Sequence, residues 1–176
     1  MSEAPENIQL THADHVASGK TFPLYLLADS VEDPANIGSM FRLADALGVR
    51  HLYLAGASPT PPNAKLRRTA RATEQYVEWS HVADPLLLVT EFKRRGVITL
   101  ALELTRASID IRQAQLSAFS EVLLIVGSEN KGVSQPLLDE VAQTVHIPML
   151  GRNSSMNVVT ACAIAIFELT KNLSAN

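Results

Sequence analysis

Short apolar runs, almost unbroken by polar residues and separated by helical patterns, constrain this chain more than any other feature. Leu24-Tyr25-Leu26-Leu27-Ala28, residues 97–104 and residues 122–126 lack the apolar–polar alternation of a half-solvated strand. Each therefore predicts a strand covered on both faces. Further strands are predicted over residues 51–55, 76–79 and 144–148. Helical spacing predicts helices over 36–47, stopped by Gly48, over 85–95, over 135–141 and over 155–171. Strands that need cover on both sides, alternating with helices, make an α/β fold: a mainly parallel sheet with helices on both faces.

With 176 residues and 47% apolar composition, the chain has enough material for one domain with a real core. Residues 1–20 are polar and irregular and read as a short N-terminal extension; residues 21–176 read as the domain. Three prolines make residues 58–63 a loop. The net charge of -3 is uninformative, but its distribution is not. Lys65, Arg67, Arg68 and Arg71 crowd one segment with no acid between them, and Lys93, Arg94 and Arg95 form a second knot. Either could meet phosphates or be a solvated helix face. The lone Cys162 lies among apolar residues and reads as a core filler, and no Cys/His spacing resembles a metal site. No secretory signal and no run of transmembrane length is present, so a cytoplasmic setting without a membrane partner is expected.

Three polar loops stand out. Asp33-Pro34-Ala35-Asn36-Ile37-Gly38-Ser39-Met40-Phe41-Arg42 follows the first strand, with Asn36 expected to cap the helix. Gly38 and Arg42, four apart, share a face, and a glycine so early in a helix implies that something approaches its backbone. Gly127-Ser128-Glu129-Asn130-Lys131-Gly132 makes a tight turn at a strand's carboxyl end, where open α/β sheets bind ligands. Its glycine spacing excludes a Rossmann or P-loop phosphate cradle. The third loop, Ile147-Pro148-Met149-Leu150-Gly151-Arg152-Asn153-Ser154-Ser155-Met156-Asn157, precedes a helix that is apolar on nearly every side. Such a helix needs burial all round, most simply by its own domain and a homodimer interface, the alternative being a deep single-domain core.

Taken in order, Asn-x-Gly-x-x-x-Arg, Gly-x-Glu-x-x-Gly and Ile-Pro-Met…Ser-x-Asn-Val resemble the SpoU (TrmH) family of RNA 2′-O-ribose methyltransferases, of the SPOUT superfamily. The resemblance covers residues 24–171. It implies methyl transfer from S-adenosylmethionine to a ribose 2′-hydroxyl of RNA, tRNA being favoured over rRNA, by a homodimer without a metal. It also implies a C-terminal trefoil knot, which no pattern in the residues would indicate. Carried over residue by residue, Asn36, Arg42, Glu129, Ser155 and Asn157 take the catalytic positions. Leu102, Gly127, Glu129, Gly132, Ile147, Met149, Ser155 and Met156 take the cofactor positions. Arg42 stands where the family's general base is placed. A clamp on ribose or phosphate asks less of a guanidinium, which stays charged in proteins. Lys65, Arg67, Arg68 and Arg71 are the expected RNA contacts. Met156 replaces the usual Leu, a near volume-conserving swap, and Val159 stands where relatives have Ser.

Other readings are a nucleotide-dependent α/β enzyme, a non-catalytic RNA-binding module, and an inactive relative retained for binding RNA. The first would need a glycine-rich turn after the first strand, where this chain has Asp-Pro-Ala-Asn-Ile-Gly. The second is disfavoured by an aromatic content of 5%, which leaves little for base stacking.

Overall fold

The computed structural model describes residues 7–116 and 119–175. Seven strands form one all-parallel sheet. They are β1 (Phe22–Asp29), β2 (Val49–Ala55), β3 (Trp79–Val82), β4 (Ile98–Leu102), β5 (Ile109–Asp110), β6 (Val122–Gly127) and β7 (Gln143–His146). Their spatial order is β3-β2-β1-β6-β4-β7-β5. At the sheet's centre, β1, β6 and β4 lie side by side and are buried on both faces, which is where the unbroken apolar runs stand.

Successive side chains on each strand enter opposite cores. Leu24, Leu26 and Ala28 pack with α1 (Pro34–Leu47), α2 (Ala64–Ala70) and α5 (Val158–Thr170). Tyr25 and Leu27 face α3 (Pro85–Arg94) and α4 (Gln135–Glu140). On that second face Tyr25 and Phe92 meet edge to face at 4.8 Å. Each fully buried Leu contributes roughly 1.5–3 kcal/mol, so the two cores together hold the layers in place. β7 lies between β4 and β5, which residues 103–108 join, an order compatible with the C-terminal threading that the resemblance implies.

Several local expectations are corrected. Asp33, not Asn36, caps α1: its Oδ1 accepts from the Ala35 N–H at 3.0 Å, and Pro34 occupies the first helical position. Asn36 therefore sits inside the first turn, with its side chain released for other bonds. The 76–79 strand is displaced to Trp79–Val82, because Tyr76 and Val77 close a short 3-10 turn over Thr73–Gln75. The basic segment 64–70 is a helix, α2, capped by Asn63, whose Oδ1 accepts from the Leu66 N–H at 3.0 Å. The last helix begins at Val158 rather than Ser155, since Asn157 Oδ1 takes the N–H groups of Val159 and Thr160 at 2.9 and 3.3 Å. Within one copy that helix is not buried all round: Ile164 and Phe167 are 42% and 63% exposed.

The approach expected at Gly38 is real, and its agent is α2. A Cβ there would lie 2.0 Å from Thr69 Oγ1 and 2.3 Å from the Leu66 carbonyl oxygen. α2 is thereby locked against the start of α1, beside the loops at the sheet's carboxyl edge.

Candidate functional site

The loops after β1, β6 and β7 converge at the carboxyl edge of the sheet. One hydrogen-bonded chain of side chains joins them. Glu129 Oε1 accepts from the Asn36 amide at 2.6 Å, and Asn36 Oδ1 accepts from the Asn157 amide at 3.3 Å. Asn157 in turn caps α5. Glu129 also accepts from the backbone N–H groups of Glu32 (3.1 Å) and Asp33 (3.4 Å). Partial burial pushes the Glu129 carboxyl up. The Asn36 amide and the surrounding N–H groups outweigh that and hold it below its usual range.

Beside this chain opens a cleft of about 760 Å³, within the range for small-molecule sites. All eight expected cofactor positions line it: Leu102, Gly127, Glu129, Gly132, Ile147, Met149, Ser155 and Met156. Asn157 lines it too, with Val158 and Ala161 from the start of α5. Its apolar walls suit a nucleoside, while the 127–132 turn and Ser155 offer polar groups. The turn is self-closing. Ser128 and Gly132 exchange backbone bonds of 3.1 and 2.9 Å, and Ser128 Oγ accepts from the Lys131 N–H at 3.1 Å. The departure at Val159 is harmless to the cap, because that position contributes its backbone N–H and not its side chain.

Of the catalytic candidates, Glu129, Ser155 and Asn157 line the cleft, Asn36 reaches it only through its bonds to Glu129 and Asn157, and Arg42 is not brought to it. Arg42 is exposed on α1, on the face it shares with Gly38, and does not line the cavity. Ser154 and Ser155 lie in the loop rather than in the helix.

The two basic segments separate cleanly. Lys93 pairs with Glu140 at 2.6 Å, Arg94 with Glu91 at 2.8 Å and Arg95 with Glu121 at 3.6 Å, so the second knot is neutralised internally. Lys65 pairs with Asp33 at 2.7 Å, which ties α2 to the start of α1 and holds the Asp33 carboxyl below its usual range. Arg67, Arg68 and Arg71 are exposed and make no ion pair among the described residues. Arg67 and Arg68 line a separate groove with Pro61, Pro62 and Glu74. Glu103 also lines the cleft and had no place among the expected residues. Its only sequence signal is being the first charge after the apolar run of β4. Among the described residues no cluster of His, Cys, Asp or Glu is placed to hold a metal, and no helix is long and apolar enough to cross a membrane.

Fold and cleft together define a parallel α/β domain with an open cleft between loops at the sheet's carboxyl edge. The chain belongs to the SpoU rRNA Methylase family, whose model matches residues 23–167. It is 32% identical over 144 residues to the 23S rRNA (guanosine(2553)-2'-O)-methyltransferase RlmP of Bacillus subtilis, a match covering 82% of this chain and 56% of that protein. It is 30% identical over 146 residues to the tRNA (guanosine(18)-2'-O)-methyltransferase of Aquifex aeolicus, covering 82% of this chain and 67% of that one. Among solved structures it is similar to the SpoU methyltransferase AviRb of Streptomyces viridochromogenes in complex with AdoMet. There the TM-score is 0.75 and the identity 26%, over 84% of this chain and 56% of that one. The chain thus spans little more than half the length of the Bacillus relative.

Proposed function

We propose that this chain is an RNA 2′-O-ribose methyltransferase using S-adenosylmethionine. The observation that carries the reading is the Glu129–Asn36–Asn157 chain beside a cleft lined by all eight residues expected to hold the cofactor. Leu102, Ile147, Met149, Ser155 and the 127–132 turn would hold S-adenosylmethionine, which when bound would supply an electrophilic methyl to the ribose 2′-oxygen and leave as S-adenosylhomocysteine, the hydroxyl proton passing to a neighbouring phosphate or to water.

The rest of the task falls to the chain's own groups, and it is mainly positioning. Leu102, Ile147 and Met149 wall the nucleoside, and Ser155 and the 127–132 turn meet its polar atoms. Glu129 and Asn36 orient the ribose. Arg42, exposed beside α2, clamps the phosphate or ribose of the incoming strand, a task for which its planar fork is suited. Arg67, Arg68 and Arg71 take the flanking backbone, with Lys65 beside them. A second copy of the chain covers Ile164 and Phe167. On this reading residues 21–176 are the catalytic domain, residues 1–20 an extension, and the setting cytoplasmic. tRNA is the proposed substrate, by analogy with the tRNA (guanosine(18)-2'-O)-methyltransferase relative, and rRNA, the substrate named for the other relatives, is the alternative.

Calorimetric titration with S-adenosylhomocysteine, with NAD as control, tests the pocket. Methyl transfer to unmodified tRNA and to rRNA, by wild type and by Arg42→Ala, tests the reaction. Saturable binding of S-adenosylhomocysteine alone is expected, with Arg42→Ala binding it normally and transferring nothing. Binding of NAD instead would overturn the assignment, and wild-type turnover by Arg42→Ala would overturn the role given to Arg42.

A further inference from the structure

Glu103 follows β4 directly and touches every wall of the cleft that a strand end supplies. Its backbone N–H donates to the Val145 carbonyl of β7 at 2.9 Å. Its Oε2 accepts from the Val133 N–H, just past the 127–132 turn, at 3.0 Å, and its Oε1 accepts from the Leu104 N–H at 2.9 Å. The next amide along is held in the same way: buried Asp29, at the end of β1, accepts from the Ser134 N–H at 2.9 Å. Two carboxylates from two strands thus grip two consecutive amides of the chain leaving the turn.

Both glycines of Gly-x-Glu-x-x-Gly are explained by this grip. Gly132 has φ +67, and a Cβ on it would lie 2.1 Å from Glu103 Oε2. Gly127 lies beneath the gripped segment, where a Cβ would fall 2.0 Å from the Val133 nitrogen and 1.9 Å from the Gly132 carbonyl carbon. A buried amide without an acceptor is costly, and bonds to a carboxylate are about twice as strong as neutral ones. Both oxygens of Glu103 are engaged by backbone, so its part is to shape the cleft and not to contact the ligand.

We infer that Glu103 is a positioning residue, which, with Asp29, holds the Gly127–Gly132 turn in the shape that binds the nucleoside of the cofactor. The inference rests on the reading of the cleft as an S-adenosylmethionine site. It is tested by hydrogen exchange of the full chain, read by mass spectrometry, together with S-adenosylhomocysteine titration, for wild type, Glu103→Gln and Glu103→Ala. Glu103→Ala is expected to speed exchange over residues 128–134 and to weaken S-adenosylhomocysteine about tenfold, the weight of one charge-assisted hydrogen bond. Exchange in β1 and β2 should be unchanged. Glu103→Gln keeps an acceptor for one amide and should fall between, and it serves alone should the alanine variant not fold. Gly132→Ala should cost less affinity in the Glu103→Ala background than in wild type, because the Cβ no longer meets a carboxylate. Wild-type exchange over 128–134 in the variants, or faster exchange with unchanged affinity, overturns the inference. A wild-type chain that binds no S-adenosylhomocysteine, with variants that still loosen the turn, counts against the methyltransferase reading and leaves the clamp standing.

Discussion

Gly38→Ala sets two effects of opposite sign against each other, and the structure decides which wins. Inside an ordinary helix the change stabilises by about 1 kcal/mol. Here the added methyl would lie 2.0 Å from Thr69 Oγ1, 2.3 Å from the Leu66 oxygen and 3.0 Å from the Ala70 nitrogen. The Thr69 hydroxyl can rotate away at the expense of its 2.9 Å bond to the Leu66 carbonyl. The carbonyl cannot rotate; it belongs to the backbone of α2, so the whole helix must withdraw by about an ångström. Overpacking costs roughly 1–3 kcal/mol, and a forced backbone shift belongs at the upper end. Taking about 3 and subtracting about 1 leaves a net loss of about 2 kcal/mol. For a chain of this length that lowers Tm by about 4–8 °C. Thermal unfolding followed by circular dichroism, at matched protein concentration so that any self-association affects both proteins alike, measures the shift. Gly38→Ala with Thr69→Ala should recover only part of the loss, since the Leu66 contact persists. A Tm equal to or above that of wild type would refute the reasoning. Activity should fall further than stability alone accounts for, because α2 carries the Lys65 that anchors Asp33.

The remaining expectations concern charge, access and assembly. The Glu129 carboxyl lies below its usual range, so its native bonds are fully in place above the unfolded value of about 4 and are lost as pH falls through the lower native value. S-adenosylhomocysteine affinity should therefore be flat from neutrality down to about that value, then drop, and Glu129→Gln should lack the acid limb; a drop between about pH 8 and 6 would tell against Glu129 as its source. Arg68→Ala should weaken RNA binding, reduce the slope of log K against log salt by about 1 and leave S-adenosylhomocysteine binding intact, so loss of the latter would sink its role as a backbone contact. Burial pushes the Cys162 thiol up to about 12, so thiol reagents should label it only at the rate of unfolding, and rapid labelling of the native protein would show α5 to be open. Phe167→Asp should shift sedimentation from dimer to monomer, and an unchanged dimer would place the interface elsewhere.

The strands were legible wherever burial on both faces left an unbroken apolar run, which is why β1 and β6 match the expectation closely. β3 was misplaced because Tyr76 and Val77 are as strand-like in composition as Trp79, and only the 3-10 turn at Thr73–Gln75 separates them. α2 stayed hidden because its seven residues carry too short a period to read, and its Asn63 cap follows a proline run that reads as loop. Asn36 was misjudged as a cap for a related reason. Asp33 and Asn36 are both good caps, and Pro34, which belongs at the first helical position, favours Asp33.

The site shows the same division between what a motif records and what it leaves out. The ordered motifs located Asn36, Glu129 and Asn157, yet periodicity offers no way to see that they form one hydrogen-bonded chain across 93 and 121 residues of sequence. The motif glycines were legible as positions but not as causes. Gly38 admits α2, and Gly127 and Gly132 admit the chain's own return past Glu103. That is why Glu103 went unread: it shapes the cleft through backbone amides, which carry no residue identity, and so leaves no side-chain pattern of its own. Arg42 is the converse case, plain in the motif and absent from the cavity wall. On the proposed function, a side chain that faces solvent on α1, the helix that α2 packs against at Gly38, is free to meet a strand arriving from outside. Its role there is therefore one to be tested with RNA, and not one that the cleft itself reveals.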